Sequence, residues 1–98
     1  MAKGYWLARL DISDRETFAE YRKRNAAPIA KFSGRFIVKG GKAETVLGPR
    51  RGENVVIEFD DYAQAVACFH SPDYQAAAQY LKQSCALIEF VIVEGAEQ

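Results

Sequence analysis

The stretch that decides the fold is "GRFIVKGGKAETVLGPRRGENVVIEF", residues 34–59. It begins and ends on strand-like runs, at 34–39 and "NVVIEF" at 54–59, both rich in branched and aromatic residues. Between them lie Gly40-Gly41, a short extended piece at 43–48 and the polar loop "PRRGEN" at 49–54, without helical periodicity. Two consecutive strands with no intervening helix pair as an antiparallel hairpin. What flanks them settles the rest.

Upstream, "GYWLARLDI" (4–12) alternates as a strand, and "SDRETFAEYRKRNAAPIAKF" follows it. Phe18, Tyr21, Asn25, Ile29 and Phe32 recur every three or four residues, and Ser13 and Glu16 have capping-box spacing, so this segment is a helix. Pro28 is expected to end its first segment or to kink it, because proline lacks the amide donor. Downstream, Asp61 caps "YAQAVACF", and Ser71-Pro72 starts a further helix, "SPDYQAAAQYLKQS". "CALIEFVIVEG" (85–95) is a final apolar strand. The order β-α-β-β-α-β predicts an α+β, ferredoxin-like fold whose antiparallel sheet has strand order 4-1-3-2 and helices on one face.

Size and composition bound the function. The 98 residues are expected to form one domain, 1–98, with a modest core. Lys+Arg 13 balances Asp+Glu 13, without the basic excess of a nucleic-acid binder. No apolar run is long enough to span a bilayer, so no membrane partner is expected. "MAKG" runs directly into the first strand with no signal-like apolar region, so a cytoplasmic location and free thiols at Cys68 and Cys85 are expected.

Strict alternation sorts the strand side chains into two sets. Trp6, Ala8, Leu10 and Ile12, with Val55, Ile57 and Phe59, with Ala86, Ile88, Phe90 and Ile92, and with Phe36 and Val38, belong under the helices. The opposite face carries apolar residues and five charges: Arg9, Arg35, Lys39, Glu58 and Glu89. Arg35 and Lys39 share that face because they stand an even number of residues apart. On the expected order Arg9 lies between Glu58 and Glu89, and the three are expected to form a network. A sheet face this apolar calls for a cover, which a two-fold copy packed sheet to sheet provides; the partner expected is therefore a homodimer.

Motifs for chemistry are sparse. Gly40-Gly41 matches no phosphate-loop pattern and starts no helix, so the glycines are read as permitting positive φ in a turn. No serine sits in a nucleophile elbow, no Cys/His set offers a metal site, and no cofactor is expected. His70 is the single histidine and an acid–base candidate, though at a helix junction a structural or exposed role is preferred. Tyr21 and Asn25 share a helix face and are expected to meet the sheet near Arg35, where a small ligand would bind. The candidate ligand-binding residues are Arg9, Tyr21, Asn25, Arg35, Glu58, His70 and Glu89.

"GYWLARLDISD", "AAPIAKFSGRFIVKGGKAETVLGP", "NVVIEFDDYAQAVACFHSPDYQAA" and "FVIVEG" together resemble the domain-of-unknown-function family 1330. "GRFIVKGG" and "SPDYQ" are the most specific parts of that resemblance. It implies a dimeric α/β-barrel related to EthD-like proteins, muconolactone isomerases and antibiotic-biosynthesis monooxygenases, and it implies no established activity. Two functions follow from the residues. One is a small-molecule-binding homodimer, extending to a cofactor-free enzyme with its site in the cleft between sheet and helices. The alternative is a non-catalytic structural or regulatory dimerisation module whose polar sheet residues set the register of two chains.

Overall fold

The aromatic-rich alternation of residues 4–12 forms the strand β1 (Gly4–Ile12) at the heart of a four-stranded sheet. In this computed structural model, which describes residues 2–97, β1 pairs antiparallel with β3 (Glu53–Phe59) on one side and β4 (Cys85–Glu94) on the other. The edge strand β2 (Arg35–Lys39) pairs with β3, giving the order β2-β3-β1-β4 expected from the sequence. Helices α1 (Arg15–Lys31), α2 (Tyr62–His70) and α3 (Pro72–Ser84) cover one face. The result is a slab of 37 × 34 × 17 Å, two layers thick, with the second sheet face open.

The helix starts follow local chemistry. Asp61 and Ser71 cap α2 and α3, accepting the amides of Gln64 and Tyr74 at 2.8 and 3.2 Å. The cap of α1 is Asp14 rather than Ser13: its carboxylate takes the Thr17 amide at 3.1 Å and the Thr17 hydroxyl at 2.7 Å. Ser13 is engaged elsewhere, donating its amide (2.8 Å) and its hydroxyl (3.3 Å) to the Ser84 carbonyl. Pro28 does not end α1; the helix continues through it to Lys31. The turn then closes through Ser33 in the left-handed region (φ 69°) and a 2.8 Å bond from the Gly34 amide to the Ile29 carbonyl. Gly34 is required by space, since a Cβ there would sit 2.6 Å from Ile29 Cγ2 and 2.7 Å from the Phe59 ring.

Trp6, wholly buried, centres the core: its indole N–H donates to the Ala65 carbonyl at 2.9 Å, tying β1 to α2. Phe59, Phe69, Tyr74 and Phe90 surround it with ring centroids at 4.7–6.0 Å. Both cysteines are free thiols, Cys68 in the core and Cys85 at its margin.

Two bulges alter the facing of strand residues. Between Asp11 and Ile12 the β1–β4 register shifts, so that Ile12 meets Cys85. Cys85 therefore packs against the core, and Ala86, expected there, is exposed. The second shift matters more. Phe36 pairs with Ile57 and Val38 with Val56, which leaves Ile37 unpaired. Directly opposed residues share a face, so Val38 joins Val56 on the open face and Lys39 joins Val55 beneath the helices. Arg35 and Lys39 thus lie on opposite faces, contrary to strict alternation. Gly40 and Gly41 follow with φ of 71° and 87°, the left-handed turn read from the sequence.

Candidate functional site

The helix-covered face holds a cavity of about 80 Å³ between α1 and the sheet. Trp6, Leu10, Phe36, Val55, Ile57 and Phe90 supply apolar wall from the sheet, and Phe18 supplies it from α1. The polar groups come from two elements. Tyr21, Arg22 and Asn25 project from one face of α1, as their three- and four-residue spacing dictates, while Lys39 and Glu53 come from the facing ends of β2 and β3.

Tyr21 and Asn25, both buried, are held by a hydrogen-bonded cluster. The Tyr21 and Tyr74 hydroxyls lie 2.8 Å apart, and the Asn25 amide stands beside the Tyr21 hydroxyl. Burial pushes both phenols above their ordinary range, so both stay protonated and act as hydrogen-bonding groups. Lys39 Nζ rests 4.8 Å from the centre of the Phe36 ring, and Arg22 lies 5.4 Å from that of Phe18.

Glu53 completes the site. Its Oε2 is buried and has no hydrogen-bond partner among the described residues; the Arg22 guanidinium stands 3.9 Å away. The sequence placed Glu53 in a polar loop, but β3 begins at this residue, opposite Leu10, which turns the carboxylate under the helices. Lys39 and Glu53 were both missed as cavity residues. The available signal for Glu53 was its even spacing from Val55 and Ile57.

The other sequence candidates lie elsewhere. Arg9, Arg35, Glu58 and Glu89 are on the open face, and strand register splits them into two groups. Glu58 pairs across from Tyr5, and Arg9 from Asn54, about 13 Å further along the strand. At one end Glu58 accepts from Arg35 (2.9 and 3.0 Å) and from the Tyr5 hydroxyl (3.1 Å), and Arg35 also reaches Asp60 at 3.3 Å. At the other end Arg9 donates to Asn54 and to the Pro49 carbonyl, both at 3.1 Å, and approaches Glu89 to 3.8 Å. Arg51 bridges Glu89 (3.0 Å) and Asp11 (3.7 Å). The expected Arg9–Glu58–Glu89 network is therefore two networks, and Arg35 does not meet Tyr21 and Asn25. Lys39 takes that place. His70 ends α2, exposed and edge-on to Phe69 at 5.3 Å, outside the cavity lining, where its position suits the negative end of the helix dipole.

Between the two ionic groups the open face is apolar: Leu7 opposes both Val56 and Val91. Leu7, Val38 and Val91 are 38, 39 and 50% exposed. The loop 40–52 crosses one end of this face through Pro49 and Arg51 and carries Val46 and Leu47 exposed at its tip. Among the described residues no helix is long and apolar enough to cross a membrane.

The chain belongs to the family Domain of unknown function (DUF1330), which it matches over residues 3–96. No curated protein matches it. Solved structures share the fold at low identity. A protein of unknown function from Rhodopseudomonas palustris superposes with a TM-score of 0.78 at 13% identity, covering 99% of this chain and 85% of the other. A dimeric protein of unknown function and ferredoxin-like fold from Bacteroides fragilis gives 0.62 at 16% identity, covering 94% and 95%. A member of the EthD family from Bacillus halodurans gives 0.56 at 13% identity, covering the full length of both chains.

Proposed function

We propose that this protein is a homodimer that binds a small molecule in the cleft between α1 and the sheet of each protomer. The observation that carries the reading is the cavity. A largely apolar pocket of about 80 Å³ receives a few convergent polar groups, Tyr21, Asn25, Lys39 and Glu53, from rigid elements. The groups facing it offer hydrogen bonds and proton transfer, so chemistry performed there would be of the acid–base kind and would need a bound substrate to place its proton near Glu53.

The dimer rests on the open face. A two-layer slab leaves Leu7, Val56 and Val91 without cover, and the accessible surface of 6229 Å² exceeds the roughly 5,600 Å² expected of a monomer this size. Ionic groups at both ends of the apolar stripe fix the register of a two-fold partner, and similar folds occur in proteins described as dimeric.

Ala26 lines the cavity from α1, and its side is otherwise exposed. Ala26→Trp fills the space at a helix-propensity cost within about 0.7 kcal/mol. In amide-resolved NMR, a library of small fragments is expected to shift the resonances of residues around Tyr21 and Val55 in the wild type and not in Ala26→Trp. Fragments that shift no cavity residue, or shift both proteins alike, overturn the reading.

A further inference from the structure

Among the described residues, the fold leaves one carboxylate oxygen of Glu53 without a hydrogen bond. Its buried Oε2 lacks a hydrogen-bond partner, and at 3.9 Å the Arg22 guanidinium is beyond hydrogen-bonding distance. An acceptor left bare in a buried place is unfavourable unless something else donates to it. Glu53 lines the cavity, so a molecule bound there is placed to donate to it.

The charge around it narrows the donor. Arg22 and Lys39, both partly open to solvent, line the same cavity as Glu53, so its lining carries two cations and one carboxylate, a net positive charge. An ammonium would donate to Glu53 but add a third cation. A plain carboxylic acid would balance the charge yet set a second acceptor beside the bare one. A molecule with a hydroxyl and a carboxylate on adjacent carbons meets both needs, because Glu53 and Arg22 are themselves only 3.9 Å apart. Size limits the rest. The cavity, about 80 Å³, is near half the ~150 Å³ that accepts benzene in an apolar protein core, which suits a branched alkyl group of about three carbons against Val55 and Ile57.

We propose, resting on the cavity reading above, that the ligand class is a small branched aliphatic 2-hydroxy acid. Its hydroxyl donates to Glu53 Oε2, its carboxylate lies against Arg22 and Lys39, and its alkyl group fills the apolar end. Glu53 is the residue that selects the hydroxyl.

Three probes separate these contacts: 2-hydroxy-3-methylbutanoate, 3-methylbutanoate, which lacks the hydroxyl, and 2-methylpropan-1-ol, which lacks the carboxylate. Each is titrated into the isotope-labelled protein and followed by NMR. In the wild type the hydroxy acid is expected to bind at least about tenfold more tightly than 3-methylbutanoate, the value of a hydrogen bond to a charged acceptor. Glu53→Leu should bring that ratio close to one while both acids still bind. The Arg22→Ala, Lys39→Ala double variant should weaken both acids at least about tenfold and leave the alcohol unchanged. Because Glu53→Leu removes an unpartnered polar atom, its melting temperature should hold or rise; if it does not fold, Glu53→Gln must still shrink the ratio. A hydroxy acid no tighter than 3-methylbutanoate, or an advantage that survives loss of Glu53, overturns the assignment of Glu53. An alcohol that binds as well as the hydroxy acid overturns the role of the two cations. In both cases the cavity remains a ligand site. If no probe shifts any cavity residue, the 2-hydroxy-acid assignment is overturned, while the cavity reading stands or falls by the fragment screen.

Discussion

Leu7→Lys distinguishes a covered sheet face from a bare one. Leu7 stands at the centre of the open face, opposite Val56 and Val91, and is 38% exposed in the isolated chain. In a lone chain the substitution is mild. Full burial of a leucine is worth about 1.5–3 kcal/mol, this one is only partly buried, and the lysine stem lies along the same apolar surface with its ammonium in water. A cost of about 1 kcal/mol follows, which lowers the melting temperature by roughly 4–8 °C for a domain this size. In a sheet-to-sheet dimer the same change removes two ammonium groups from water, at several kcal/mol each after relaxation. Taking the total as about 5 kcal/mol, the dissociation constant rises more than a thousandfold at ~1.4 kcal/mol per factor of ten. Sedimentation velocity at tens of micromolar reads the association state, and circular dichroism reads the fold. Wild type should sediment as a dimer, Leu7→Lys as a folded monomer, and Leu7→Met as a dimer. A dimer that persists in Leu7→Lys, or a wild type that is monomeric, refutes the sheet-face interface.

Burial pushes the Cys68 thiol from 9.0 up to about 12, so the folded state keeps a proton that the unfolded chain releases above its own pKa. Stability tied to this thiol is therefore fully present below pH 9.0 and is lost progressively as pH rises from 9.0 toward about 12. Urea titrations at pH 8 and pH 10 should show the fall, and Cys68→Ala should shrink it, with the raised Cys85, Tyr21 and Tyr74 groups supplying the remainder; an equal fall in that variant refutes the assignment. Deletion of Ile37 should be tolerated, because Phe36, Val38 and Lys39 keep their partners Ile57, Val56 and Val55 when the unpaired residue is removed. Ile37 is 51% exposed, so the expected cost is within about 1 kcal/mol by thermal melting. A loss of several times that would show that strand β2 needs the extra residue.

The helical part of the site was legible and the strand part was not, for a physical reason. Tyr21 and Asn25 face the cavity as their spacing required, because a helix carries its period in its own hydrogen bonds and α1 keeps it even through Pro28. Facing on a strand depends on pairing with a neighbour, and one unpaired residue inverts everything beyond it. "FIVK" contains nothing to mark Ile37 as the unpaired residue, since all of its apolar members suit a strand. The inversion put Lys39 in the cavity and left Arg35 to Glu58 on the other face. Glu53 was hidden differently: glycine and charge around it spell a loop, and only the register with Leu10 shows it to be the first residue of β3. Ser13 shows the same limit at a helix end, where the Ser84 carbonyl, distant in sequence, takes its hydroxyl and leaves the cap to Asp14. Lys39 and Glu53, the two charged cavity residues that come from the sheet, are thus both fixed by pairing between strands. A substitution that slips β2 or β3 by one residue should therefore remove ligand discrimination even where every cavity residue is retained.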